Sequence, residues 1–279
     1  ESEARAHVRL FQSNQYAVGD ASFDVIHYTC HWKVDPAFNY IEGSVTILYK
    51  MVLSANQIQL DLSSALQTDS IVQHNQRLNF THNNDVITIQ WPQTQEAQTI
   101  DSVTVFYKGV PSSSGFGSFI LSQHGTGMPV LWTLSEPYGA RDWWPCKNGL
   151  NDKADSIDVY ITHPDSYKAA SNGLLQSETT HPDGTITTHW HHSYSIATYL
   201  ICMAVTDYVT FTRYITLNGY SLPLVTYCYP ESQSYFEQGT SYTLEAMDLF
   251  HHTVGDYPFI REKYGHVQFG WGGGMEHQT

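Results

Sequence analysis

A mainly β fold, with antiparallel sheets packed as a sandwich or a curved saddle, is what this 279-residue sequence predicts. Three observations carry that reading. From about Tyr28 to Phe211 apolar residues recur with period two, the mark of half-buried strands. Asn-Asn, Asp-Gly and Pro-containing punctuation separates the runs. No helix-period segment intervenes, so the strands lack the crossover helices that usually accompany parallel pairing.

Taken in order, Tyr28, Cys30, Trp32 and Val34 alternate with Thr29, His31 and Lys33, and Val45, Ile47, Tyr49 and Met51 alternate with Thr46, Leu48 and Lys50. Both read as strands with one buried face. Further strands are expected at Val86 to Trp91, Val103 to Tyr107, Ile157 to Ile161, Ile186 to His192 and Ile201 to Val209. After Pro230 the pattern changes: Tyr242, Ala246, Leu249, Phe250 and Thr253 fall at helical spacing, predicting a helix from Ser234 to Val254 opened by a Ser234–Glu237 capping box. Gly255 and Pro258 supply its stop signals, and a second element from Tyr264 to Phe269 leads into Gly272, Gly273 and Gly274. The switch of period divides the chain into a β domain over 1–211 and a different segment over 212–279. A glycine run five residues before Thr279 normally leads into another packed element, so the second segment reads as truncated.

Composition narrows the function. The hydrophobic fraction is 41%, near the globular norm, while charged residues are only 14% against roughly 25% for an average domain, which argues against coiled coils and charge-driven disorder. A net charge of −14 repels phosphate backbones and anionic headgroups, so no nucleic-acid or membrane partner is expected. Cys30, Cys146, Cys202 and Cys228 form no C-x-x-C pair and read by default as buried free thiols, while their even number would permit two disulfides in an exported protein, with three pairings open. His189 and His191 share a face of a predicted strand and His251 and His252 adjoin on the helix, but two ligands without a third do not make a zinc site. Trp143 and Trp144 read as core packing.

Two segments carry chemistry. One runs Ser135-Glu136-Pro137-Tyr138-Gly139-Ala140-Arg141-Asp142-Trp143-Trp144-Pro145-Cys146 and the other Gly272-Gly273-Gly274-Met275-Glu276-His277. By composition alone the second reads as a surface turn carrying a solvated acid; the functional reading is that its glycines let a bound chain approach the backbone while Glu276 offers a carboxylate beside it.

Together these segments resemble the aminopeptidase N and leukotriene hydrolase family of zinc metallopeptidases, the gluzincins. The opening strand pattern is similar to His27-Tyr28, Val34-Asp35 and Gly43-Ser44-Val45-Thr46. The acid-proline, alanine-arginine and proline-cysteine pattern is similar to Glu136-Pro137, Ala140-Arg141 and Pro145-Cys146. A serine-threonine-tyrosine-leucine strand resembles Ala197-Thr198-Tyr199-Leu200, and the glycine-x-methionine-glutamate motif resembles Gly273-Gly274-Met275-Glu276.

The resemblance implies a saddle-shaped β domain followed by the α/β start of a thermolysin-like catalytic domain. It further implies that Glu136 and Glu276 hold a peptide's free α-ammonium while Gly273, Gly274 and Met275 line the peptide. Leu134 and Asn148 depart from the family pattern near Glu136, and His277 stands where Asn is usual. The H-E-x-x-H motif, which would place two imidazoles and a general base on one helix face, has no match. The expectation is therefore zinc in the intact parent, none bound to this chain, no catalytic residue within it, and partners limited to a peptide with a free N-terminus and the remainder of its own catalytic domain. The alternative is a non-catalytic β module serving as an interaction or structural unit. The acidic balance, low Lys content and start at Glu1 lean toward an exported protein, periplasmic or extracellular.

Overall fold

A computed structural model describes residues 20–279; the stretch 1–19 of the expected β domain lies outside the described residues. The first ten strands are β1 Phe23–Val34, β2 Ile41–Met51, β3 Ala55–Asp61, β4 Leu66–Gln73, β5 Gln76–Arg77, β6 Asn79–Asn83, β7 Val86–Gln95, β8 Ile100–Gly109, β9 Ser118–His124 and β10 Met128–Leu134. They are followed by β11 Ser156–Pro164, β12 Lys168–Ser171, β13 Leu174–Thr180, β14 Thr185–His192, β15 Met203–Thr206, β16 Val209–Leu217, β17 Tyr220–Cys228, helix α1 Gln233–Thr253 and β18 Tyr264–Val267.

Alternation places the residues read as inward on the buried face. Tyr28, Cys30, Trp32 and Val34 of β1 and Val45, Ile47, Tyr49 and Met51 of β2 are all buried. These strands lie in an eight-stranded sheet of order β13-β14-β11-β1-β2-β8-β4-β5. A four-stranded sheet of order β12-β15-β10-β9 and a three-stranded sheet of order β3-β7-β6 contribute to the same core. Trp143 and Trp144 are fully buried in it, edge-on to Trp32 and Tyr28, as core packing requires. All four cysteines are free.

Four sequence expectations need correction. The sheets are mainly but not wholly antiparallel: β1 pairs in parallel with β11 and β17 with β18. The long excursion of chain between β1 and β11, through the other sheets, serves as the crossover that a helix more often provides. The expected strand from Ile201 to Val209 is two strands, β15 and the start of β16, in different sheets. All four residues of β15 are buried, so it carries no alternation to mark its limits. The Ala197-Thr198-Tyr199-Leu200 motif is a 3-10 turn at Thr198–Leu200, with Leu200 N–H donating to the Ala197 carbonyl at 3.0 Å. Finally, Ser234 and Glu237 form no capping box: α1 is capped at Ser232 without a side-chain bond, because a 3-10 turn at Pro230–Ser232 feeds directly into it.

Beyond the large core, β16, β17 and β18 form a three-stranded sheet, and residue 211 falls within β16. Leu217, Leu222 and Leu224 from this sheet bury Met247 of α1 in a second, small cluster. The helix covers little more than that. Tyr242 and Phe250 remain 72% and 58% exposed, so part of its apolar stripe faces outward.

Candidate functional site

Glu136 is delivered by β10. That strand ends at Leu134, fully buried, and Ser135 accepts a hydrogen bond from Trp143 Nε1–H at 3.0 Å. The chain then turns sharply, with Gly139 N–H donating to the Ser135 carbonyl at 2.7 Å, and enters a 3-10 turn at Ala140–Asp142. Glycine is required at 139, where a Cβ would lie 2.3 Å from Ser118 Oγ. Asp142 holds the turn from below by accepting the hydroxyls of Ser114 and Ser118. Asn148 takes part as well: its amide N–H₂ donates to the Tyr138 carbonyl at 2.7 Å, and its backbone N–H to Asp61 Oδ2 at 3.0 Å. Leu134 and Asn148 therefore supply, respectively, core packing and a brace for the Glu136 turn.

The second acid arrives from the chain's other end. After β18, Phe269 and Trp271 stack with centroids 6.4 Å apart, and Gly273 takes a φ of +137° that L side chains rarely adopt. Gly273, Gly274, Met275 and Glu276 line an open cleft of about 670 Å³ together with β18. Met275 packs on the main core, whereas Glu276 is exposed. Past it the backbone is pinned. Gln278 donates its side-chain amide to His192 Nε2 and to the Ser195 carbonyl, both at 2.8 Å, while its own carbonyl accepts from Asn172 Nδ2 at 2.6 Å. Because the amide occupies Nε2, the His192 proton sits on Nδ1 and is donated to buried Glu262. Burial alone would raise the Glu262 carboxyl, but the bonds from His192 and Ser193 outweigh it and hold it below the usual carboxylate range. Lys263, also buried, donates to the Ser171, Gly173 and Thr279 carbonyls.

These two supports bring Glu136, Glu276 and His277 together. Burial pushes the Glu136 carboxyl up to about 7, and the Glu276 charge adds to that, against a partial offset from the backbone at Ser135 and Glu136. Burial drops His277 to about 4 despite the opposing influence of Glu276. His277 Nε2 lies 3.9 Å from Glu136 Oε1. Chemically, the cluster is a partly dry carboxylate beside a solvated one, an arrangement that can receive a ligand cation through charge-assisted hydrogen bonds. Asn172, His192, Glu262 and Lys263 were not among the sequence candidates, since they surround the motif in space but are scattered along the chain; His277 lies in the motif but carried no assigned role.

The surface histidines do something else. Asp158 receives His189 Nε2 at 2.6 Å, His191 Nδ1 at 3.0 Å and His27 Nε2 at 3.2 Å. Burial would raise this carboxyl, but the bonds from His189 and His191 prevail and lower it.

The chain belongs to the M1 peptidase family: the profile of the Peptidase M1 N-terminal domain matches residues 25–200. It is 30% identical over 136 residues to the glutamyl aminopeptidase of Homo sapiens, covering 49% of this chain and 14% of that one. To the glutamyl aminopeptidase of Rattus norvegicus it is 27% identical over 171 residues, 60% of this chain and 18% of that one. The fold superposes on a mutant M1 zinc metallopeptidase from Deinococcus radiodurans with a TM-score of 0.74 at 22% identity, covering 90% of this chain and 59% of that one. A two-domain M1 zinc metallopeptidase mutant bound to L-arginine gives the same TM-score at 23% identity, with 89% and 57% covered. The chain thus spans under a fifth of those glutamyl aminopeptidases and under two thirds of the solved chains.

The family implies zinc in the intact enzyme. The residues described here do not fit it: the sequence holds no H-E-x-x-H, and among the described residues no group of three or more His, Cys, Asp or Glu is arranged to hold a metal ion.

Proposed function

We propose that this chain is the N-terminal portion of a zinc-dependent aminopeptidase that removes the first residue from peptides, and that it supplies the amine-anchoring acids Glu136 and Glu276 and the peptide-lining loop Gly273-Gly274-Met275. The observation that carries this is the approach of two acids from distant parts of the chain: Glu276 lines the open cleft with the glycine loop, and Glu136, partly desolvated, lies near enough to feel its charge. An enzyme that removes only the first residue must detect a cation at the chain end. Charge-assisted hydrogen bonds worth roughly 1.5–3 kcal/mol each supply that detection, and two carboxylates fix the register of the scissile bond.

The remainder of the catalytic domain, carrying the zinc, would cover the outward face of α1 at Tyr242 and Phe250. The division between the two parts falls close to residue 211, with the β16–β17 hairpin going with the second part.

The test uses the intact enzyme. Glu136→Gln and Glu276→Gln should each lower kcat/KM for aminoacyl arylamides by roughly tenfold to over a hundredfold, with zinc content unchanged. An N-acetylated substrate, which has no ammonium, should be poor for wild type and variants alike. Unchanged kcat/KM for free-amine substrates in both variants would remove the anchoring role, and an intact protein without peptidase activity would favour the non-catalytic module.

A further inference from the structure

His277 and Glu136 are the site's unanswered pair. Their side chains are 16% and 14% exposed, yet among the described residues neither the His277 Nε2 nor either Glu136 carboxylate oxygen has a well-formed hydrogen-bond partner, the Ser135 and Glu136 backbone giving the acid only partial support. A buried polar atom left open costs about 1–3 kcal/mol, and here a donor and an acceptor are left open side by side. The 3.9 Å between them is too long for a hydrogen bond and short enough for a small ring rotation to make one. Functional hydrogen bonds in empty sites are often long and tighten when the ligand arrives.

We propose that His277 is a positioning residue for Glu136: as the amino end of a peptide enters, the neutral imidazole closes its Nε2–H onto the Glu136 carboxylate, keeping it ionised and turned toward the ammonium. This rests on the reading of Glu136 as an amine anchor. Asn, usual here in aminopeptidase N, and neutral His share one property, an N–H donor that carries no charge. With the ring pushed down to about 4 and the acid up to about 7, burial keeps the donor neutral and leaves the acceptor in need of help to ionise.

The other titratable groups around the pair do not meet that need. Glu276, on the same loop, is an acid and disfavours a charge on Glu136. Cys202 and Lys263 face His277 across a small cavity of about 100 Å³. Burial pushes the Cys202 thiol up to about 12, so it is un-ionised, and Lys263 directs its ammonium at three backbone carbonyls.

The experiment measures kcat against pH at saturating aminoacyl arylamide on the intact enzyme, the profile that reports ionisations in the bound complex. Ionisation of Glu136 should appear as the acid limb of the wild-type profile. His277→Phe should move the midpoint of that limb up by about one pH unit, a tenfold change in the ionisation constant, and raise KM more than it lowers kcat. His277→Asn should return the midpoint to the wild-type position. A merely structural ring would lose activity without moving the midpoint, and equal profiles for the Phe and Asn variants would overturn the proposal. Where the Phe variant does not fold, His277→Leu takes its place, and carbon-13 NMR titration of the Glu136 carboxyl in the 279-residue chain, with a saturating aminoacyl amide present to close the contact, gives the same readout without activity. There, an unmoved Glu136 titration would overturn it as well. Failure of the anchor reading itself looks different, since Glu136→Gln would then keep full preference for free-amine substrates.

Discussion

Glu136→Gln in the 279-residue chain offers a test that needs neither substrate nor metal. The folded carboxyl titrates at about 7, against 4.5 for an ordinary glutamate. Between those values the folded chain keeps a proton that the unfolded chain has lost, so Glu136 makes stability fall as pH rises through this window. The difference, 7 minus 4.5, is about 2.5 pH units. At about 1.4 kcal/mol per unit it sets an upper bound of roughly 3.4 kcal/mol, and water reaching the partly open cleft reduces this to about 1–3 kcal/mol. The amide is isosteric and never ionises. Urea unfolding at pH 5 and pH 8 should therefore show the variant gaining about 1–3 kcal/mol on the wild type between the two conditions, because every other titrating group is common to both proteins. The reasoning is refuted if the stability difference between the two proteins is the same at both pH values, since Glu136 would then ionise as an ordinary surface acid.

Three further outcomes are expected. Asn172→Ala, which removes buried bonds to the Leu200 and Gln278 carbonyls and to the Cys202 N–H, should cost about 2–4 kcal/mol in urea unfolding; a loss below about 0.5 kcal/mol would mean water replaces those bonds without strain. Limited proteolysis and amide exchange of this chain should be fastest over α1, residues 233–253, which buries little; protection there equal to that of the sheets would contradict the view that this helix awaits a covering partner. Elemental analysis of the purified chain should find no stoichiometric zinc, and one tight zinc per chain would send attention to the Asp158 histidines.

Strands with one dry face were legible and those with two were not. β1, β2, β8 and β11 alternate cleanly, but β10 has five consecutive buried residues and β15 four, so neither carries period two. The β16–β17 hairpin had a usable signal that went unread: Asn218-Gly219 between alternating runs, with φ of 48° and 79° as a type I′ turn requires. Both acids of the site were legible because each sits in a motif, Glu136 before proline and Glu276 after glycines. Their meeting was not, nor was the network of Asn172, His192, Glu262 and Lys263, because partners separated by up to 106 residues leave no local pattern.

That network bears on how the proposed amine site draws its two acids from distant parts of the chain. A cation bound between two carboxylates sets register only if the acids cannot shift relative to each other by much more than a few tenths of an ångström. Glu136 takes its position from the large core through Trp143 and Ser135, and Glu276 takes its own from Gln278, which is tied to His192 of β14 and to Asn172 just ahead of β13. Both acids are thus referred to the same β framework, although only Glu136 belongs to it in sequence. Under the proposed function the large β core is a reference frame for both acids, and destabilising the Asn172–Gln278 tie should blur amine recognition while leaving the Glu136 turn intact.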